Sequence, residues 1–152
     1  MYYIGIDIQT RRDCSYAVLD NRATIVDSGW FPSTGTENVE LLKKWSKSDR
    51  VCVGIDAPRM PLITKRKWYW NRSRRRWGKR ASQKGYGRHC EIVISAHRIA
   101  NPQWTPVKSK TPEWMNLGFK LYSTLEGLAK IYEVFDVTLL LHFSSGQIIL
   151  VI

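Results

Sequence analysis

The run Tyr2-Tyr3-Ile4-Gly5-Ile6-Asp7 is an apolar stretch that ends on a carboxylate, before Ile8-Gln9-Thr10 and a polar turn. An apolar run of this length reads as a buried strand. An acid at the C-terminal end of such a strand sits on a rigid element, where a metal ligand or catalytic carboxylate is held in place. The device occurs twice. Val51-Cys52-Val53-Gly54-Ile55-Asp56-Ala57-Pro58 carries the same Gly-Ile-Asp triplet, and Pro58, which has no N–H, ends the pairing. Side by side and parallel, the two strands bring Asp7 and Asp56 out together at one sheet edge. Carboxylates so placed either share a proton or hold a cation. Taken singly, each acid reads equally well as the cap of the turn that follows its strand.

Between these runs the chain alternates short strands with turns. Cys14 to Asp20 reads as a second strand, Asp20-Asn21-Arg22 as a turn, and Ala23 to Phe31 as a third strand. The short connections make the first three strands an antiparallel meander. From Thr36 to Lys47 the apolar residues Val39, Leu41, Leu42 and Trp45 recur among charges at helical spacing, with Thr36 as N-cap. A helix joining strands three and four is a crossover, which sets the fourth strand parallel to its neighbour. The expected class is therefore α/β, a mixed sheet of three antiparallel strands plus parallel strands, with flanking helices.

At 152 residues the length suits a single domain, 1–152, with a basic insertion at about 59–112. No charged-then-apolar leader precedes the first strand, which predicts a cytoplasmic protein. The three cysteines, Cys14, Cys52 and Cys90, form no CxxC pattern and read as small core residues in a reducing compartment. The net charge of +11 is local: eleven of the 24 Lys and Arg lie between Thr64 and Arg88, where there is no acid, leaving thirteen bases against thirteen acids elsewhere. A neutral body carrying one cationic segment points to a polyanion partner.

Within that segment, Lys65, Arg66, Lys67, Arg72, Arg74, Arg75, Arg76, Lys79, Arg80 and Arg88 are interleaved with Trp68, Tyr69, Trp70 and Trp77. Cations neutralise phosphates and indole faces stack on unpaired bases, each stack contributing ~1–3 kcal/mol. DNA or RNA, bound with weak sequence selectivity, is the expected partner. A packed structural arm is the competing reading of the same aromatics.

Gly85 to Ile99 contains a short, mostly apolar helix, broken by Asn101-Pro102 and Thr105-Pro106. Thr111-Pro112-Glu113 reads as an N-cap, a proline at the first helical position and an acid in the first turn. Trp114, Met115, Leu117, Leu121, Leu125 and Leu128 share one face of the helix that follows, and Gly118 faces a close neighbour. Lys130 to Asp136 reads as the fifth strand of the sheet. Val137 to Ile152 is too short and interrupted to span a bilayer and suits a terminal hairpin. It stops without a polar cap, from which a missing or altered C-terminal part is expected.

The order β-β-β-α-β-insertion-α-β, with acids ending strands one and four, is a ribonuclease H-like arrangement. Ile4-Gly5-Ile6-Asp7, Gly54-Ile55-Asp56-Ala57-Pro58, Gly87-Arg88-His89-Cys90-Glu91, Asn101-Pro102 with Thr105-Pro106, Trp114-Met115 with Gly118, and Tyr132-Glu133-Val134-Phe135 resemble, in that order, the family of RNase H-like nucleases described as domain of unknown function 429. The likeness covers about residues 2 to 136. It implies Asp7, Asp56 and Glu133 as catalytic acids and metal ligands, Mg²⁺ or Mn²⁺ as cofactor, and Arg88 and Glu91 as residues bordering the cleft. The chain departs from the family in carrying Asp136 where a proline is usual, and in having no Asp or Glu after it. Glu37 and Glu40 lie on the first helix, where ribonuclease H carries an acid; Glu40 reads either as pointing toward Asp7 or, the favoured reading, as an exposed residue of the helix surface.

Three readings follow. The first is metal-dependent hydrolysis of phosphodiester bonds. The second is a nucleic-acid-binding module of the same fold without turnover. The third, a fragment of a sugar-kinase or actin-like phosphotransferase, shares the sheet order, but such enzymes enclose a nucleotide between two domains of this kind. His89, His97 and His142 show no metal-ligand spacing.

Overall fold

A computed structural model of the chain describes residues 1–33, 40, 43–45, 50–79 and 85–134. Short runs rich in β-branched and aromatic residues become strands β1 (Tyr2–Asp7), β2 (Cys14–Leu19), β3 (Ile25–Phe31), β4 (Val51–Asp56), β5 (Trp68–Asn71) and β6 (Arg76–Lys79). Helix α1 (His89–Ala96), a 3-10 turn at Lys108–Lys110, helix α2 (Glu113–Leu125) and strand β7 (Lys130–Glu133) follow. The described chain is α/β and divides into two compact units, Met1–Arg59 with Pro112–Val134, and Met60–Thr111.

The first unit holds a mixed five-stranded sheet in the order β3-β2-β1-β4-β7. Strands β1, β2 and β3 form the expected antiparallel meander. Its second turn is set by Asp20, whose Oδ1 accepts the N–H groups of Arg22 at 2.8 Å and Thr24 at 2.9 Å. Ala23 takes a left-handed conformation there, φ 62°, so β3 starts at Ile25 rather than Ala23. Strand β4 runs parallel to β1 with no offset, pairing Ile4 with Val53, Gly5 with Gly54, Ile6 with Ile55 and Asp7 with Asp56. Strand β7 continues the parallel half beside β4.

Residues 40 and 43–45, between β3 and β4, are helical. Trp45 meets Tyr2 edge-on with ring centroids 4.7 Å apart. Lys44 donates to Asp27 of β3 at 2.8 Å, and that hydrogen bond raises the lysine's pKa. Thr36, Glu37, Val39, Leu41 and Leu42 of the expected helix lie outside the described residues, as do Asp136 and the Val137–Ile152 stretch.

One face of the sheet forms the core. Ile4, Ile6, Val18, Val53 and Ile55 are buried on it together with Leu121, Tyr122 and Leu125 of α2. Fully burying each such aliphatic side chain contributes roughly 1.5–3 kcal/mol. The Tyr122 hydroxyl lies 3.2–3.4 Å from the carbonyls of Ile55, Ala57 and Tyr132 and donates to one at a time. Gly118 lets α2 approach the end of β4: a Cβ there would stand 2.6 Å from the Ala57 Cβ.

Three local expectations are corrected. Pro112 occupies the N-cap with an extended conformation (φ −68°, ψ 159°) and Glu113 is the first helical residue. Thr111 instead donates its hydroxyl to the Val107 carbonyl at 3.3 Å. Leu128 leaves the apolar stripe and is 42% exposed, since α2 ends at Leu125 and Gly127 turns the chain at φ 85°. The core reading of the cysteines holds for Cys14, whose thiol is pushed up by burial, and fails for Cys90, which is exposed on α1. Among the described residues no helix is long and apolar enough to cross a membrane.

Gly118→Ala gains up to ~1 kcal/mol of helix propensity, yet forces two methyl carbons into overlap, and overpacking costs ~1–3 kcal/mol. The overlap should win, lowering the urea midpoint by the equivalent of about 1 kcal/mol; an unchanged or higher midpoint would show that α2 does not approach Ala57 this closely. The Asp20 carboxyl is held below its ordinary value, chiefly by the Thr24 N–H. Its stabilising effect is therefore complete above the ordinary carboxylate range and disappears as the pH falls through the folded-state value. The thermal midpoint of Asp20→Asn should fall less steeply in acid than that of the parent, and equal slopes would remove Asp20 from the account.

Candidate functional site

Asp7 and Asp56 are direct partners in the parallel register, so alternation sends both side chains to the same face at the same end of the sheet. Neighbouring strands stand about 4.8 Å apart, which sets the scale of the separation between the two backbones. Gln9 orders the first of them: its Nε2 donates to Asp7 Oδ2 at 2.7 Å, while its Oε1 accepts Arg12 Nε at 2.8 Å. The acid thus has one oxygen oriented by the turn that follows β1.

Glu133 does not join them. It is the register partner of Ile55, one step before Asp56, and alternation directs it to the opposite face, the face of Ile6 and Ile55. Val134, next along, packs over Gly54 on the Asp side, as that alternation requires. Glu133 Oε2 accepts the Arg59 N–H at 3.2 Å and so ties β7 to the turn after β4. Among the described residues no three His, Cys, Asp or Glu side chains are grouped to hold a metal ion. Glu40 pairs with Lys43 at 2.9 Å on an exposed helical surface.

In the second unit the basic segment forms a hairpin. Strands β5 and β6 pair Trp68 with Lys79, Tyr69 with Gly78, Trp70 with Trp77 and Asn71 with Arg76. The turn between them is shaped by Asn71, whose Oδ1 accepts the Ser73 hydroxyl at 2.8 Å and the Arg74 N–H at 3.0 Å. Alternation splits the aromatics. Trp70 and Trp77 meet edge-on at 5.4 Å, and both contact α1: Trp70 Nε1 donates to His97 Nε2 at 3.0 Å, and Trp77 lies 4.6 Å from the His89 ring. These two indoles, expected to stack on bases, are engaged in holding the hairpin on its helix. Trp68 is 44% exposed, with Lys79 Nζ 5.5 Å from its ring centre.

The cations also separate into two kinds. Arg66 is part-buried, and burial lowers its pKa; its guanidinium donates to the carbonyls of Trp68 at 2.6 Å, Tyr86 at 2.6 Å and Gly87 at 3.0 Å, and lies 4.1 Å from the Tyr69 ring centre. Arg88 serves Glu91, a fully buried acid, through Nε at 2.7 Å and Nη2 at 2.6 Å. Glu91 also accepts the N–H groups of Arg88 and Thr105, both at 2.9 Å, and the Thr105 hydroxyl at 2.5 Å. Five donors on one carboxylate offset its desolvation and fasten α1 to the Pro-rich loop. Gly87 completes the joint at φ 89°, where a Cβ would stand 2.8 Å from Ile92. Arg66, Arg88 and Glu91 are therefore structural within this unit.

Lys65, Lys67, Arg72, Arg74, Arg75, Arg76 and Lys79 are exposed, and Arg80 lies outside the described residues. An open groove of about 760 Å³ runs along the hairpin, lined by Tyr69, Trp70, Asn71, Arg72, Ser73, Gly78 and Lys79. The Tyr69 and Gly78 pair was not singled out in the sequence. Two signals identify it in retrospect: Asn71 and Ser73 are turn formers, and folding the chain there sets Gly78, the strand residue without a side chain, opposite Tyr69.

Set beside known proteins, the chain matches no family model, no curated protein and no solved structure. Its sheet, its paired acids and its basic hairpin are the observations that bear on function.

Removing the charge from Glu91 leaves buried donors facing an amide. Glu91→Gln should lower stability by about 3–5 kcal/mol, the usual penalty for breaking a buried ion pair. The full chain followed by tryptophan fluorescence in urea reads this directly; a loss under about 1 kcal/mol would mean that water reaches the pair.

Proposed function

We propose that this chain is an RNase H-like, metal-dependent nuclease that hydrolyses phosphodiester bonds of nucleic acid. The observation that carries the reading is the unshifted pairing of Asp7 with Asp56 at the ends of adjacent parallel strands. The sheet order, with an antiparallel trio followed by two parallel strands, supports the same reading.

The donor set fits a hard divalent cation in part. Asp7 and Asp56 offer carboxylate oxygens on one face, the ligand type that favours Mg²⁺ or Mn²⁺ over zinc. Glu133, on the other face, is not carried forward as a ligand. A cation bound there supplies Lewis acidity toward a phosphoryl oxygen and a more acidic bound water. The chain's own part is to hold the two carboxylates in place, Asp7 through Gln9. Exposed Lys65, Lys67, Arg72, Arg74, Arg75, Arg76 and Lys79 would contact phosphates, which positions a strand without reading its sequence.

The geometry of Glu133 favours a second reading, a nucleic-acid-binding module without turnover. One experiment separates the two. Purified chain is incubated with labelled DNA and RNA oligonucleotides and Mn²⁺, with binding followed in parallel. The nuclease reading expects cleavage that falls to background in Asp7→Asn and in Asp56→Asn while binding persists. Binding without any Mn²⁺-dependent product in the parent supports the module, and cleavage equal in parent and variants overturns the assignment of the acids.

A further inference from the structure

The β5–β6 hairpin presents two different faces, and among the described residues one of them is packed on α1 and its flanking histidine. Trp70 and Trp77 turn to α1 and its histidines. Alternation places Tyr69 and Gly78 on the other side, directly opposite each other across the two strands. Among the described residues an added Cβ at Gly78 would meet no atom within 4 Å, which leaves space beside the tyrosine. The groove passes over this pair, with Asn71 and Arg72 toward the turn and Lys79 on the strand.

Tyr69 is also held in place. The guanidinium of Arg66 lies 4.1 Å from its ring centre and is itself fixed by the carbonyls of Trp68, Tyr86 and Gly87. A ring ordered before binding loses little conformational freedom when a ligand stacks on it. The surroundings select the ligand. No acid occurs between Asp56 and Glu91, and Arg72, Arg74, Arg75, Arg76 and Lys79 cluster on the turn and the strand after it. A planar aromatic group attached to a polyanion matches both features.

We propose that the open face of the β5–β6 hairpin is a base-stacking subsite for single-stranded nucleic acid, with Tyr69 as the platform and the space above Gly78 as the seat of one unpaired base. The proposal rests on the nucleic-acid reading given above and adds to it the state of the strand and the residues that sense it. A duplex keeps its bases stacked within itself and offers only phosphates to the cations, so the subsite discriminates single from double strands. The indole of Trp77, turned to His89, takes no part; Trp70 borders the groove while its Nε1 is held by His97.

The test uses the full chain and fluorescence anisotropy with four probes of equal length: a DNA single strand, the corresponding RNA, a single strand of abasic sugar-phosphate units, and a DNA duplex. One base stack contributes ~1–3 kcal/mol, so the parent should bind the DNA or RNA strand at least about fivefold more tightly than the abasic strand. Comparing the DNA and RNA arms identifies which polymer is preferred. Gly78→Val fills the seat with a residue that strands favour and that the open space admits. It should bind the ordinary and abasic strands equally, with the phosphate-driven affinity retained. Tyr69→Ala should do the same. Equal affinity of the parent for ordinary and abasic strands overturns the subsite while leaving nucleic-acid binding in place, as does a Gly78→Val variant that keeps the parent's preference. Absence of binding to all four probes at low salt overturns the underlying reading as well.

Discussion

The parallel pairing of β1 with β4, without offset, is the constraint on which the first unit depends. Because the side-chain period of a strand is two, this one register decides several things together. It stacks Ile4 beside Val53 and Ile6 beside Ile55 on the core face, sets Gly5 beside Gly54 on the other, and delivers Asp7 and Asp56 to the same edge. A slip of one residue would bury an acid against α2 and expose an isoleucine. Losing a buried Ile costs roughly 1.5–3 kcal/mol and burying an unpaired charge costs more, so the hydrophobic core enforces the juxtaposition of the acids. The acid pair is thus a by-product of the same pattern that makes the sheet stable.

Register also explains why three acids near one sheet edge are not equivalent. Glu133 is close to Asp56 in the plane of the sheet, but its parity is that of Ile55. Its carboxylate is used on the backbone N–H of Arg59 instead. In the second unit Glu91 repeats the lesson more strongly. A fully buried acid on a short helix, surrounded by cations in sequence, has the appearance of a functional carboxylate. Five donors from Arg88 and Thr105 converge on it, which assigns it to holding α1 against its loop.

Much of the first unit was legible because its strands are short, apolar and bounded by turn residues. Periodicity and the Gly-Ile-Asp repeat were enough to place Asp7 beside Asp56. The position of Glu133 was not legible, because the facing of a carboxylate depends on a one-residue choice of register that composition does not encode. The start of α2 was misplaced by one residue: Thr-Pro-Glu satisfies two capping patterns, and the Thr111 hydroxyl is used on the Val107 carbonyl rather than on the helix. In the basic segment the sequence displayed the charge and the aromatics but not the pairing. Strands of four residues around a polar turn leave almost no periodicity to detect, so the aromatics read as a stacking array until the hairpin sets the indoles on one face and Tyr69 on the other.

That division bears on why the hairpin exists at all. Arg72, Arg74, Arg75 and Arg76 crowd one turn, and Arg75 adopts a left-handed conformation at φ 46°. Two like charges 6 Å apart in water repel by about 0.7 kcal/mol before screening, so several such pairs oppose folding of an element only four residues long on each side. An isolated two-stranded hairpin is marginal even without that burden. What offsets it is the face toward α1, where the Trp70–Trp77 pair, of a kind contributing ~0.5–1.5 kcal/mol, adds to the indole hydrogen bond on His97 and the His89 contact. The aromatic face therefore anchors the element against its own charge, and the repulsion left on the other face falls when salt or a polyanion approaches. A hairpin built this way is held by its indole surface against the charge crowded at its turn.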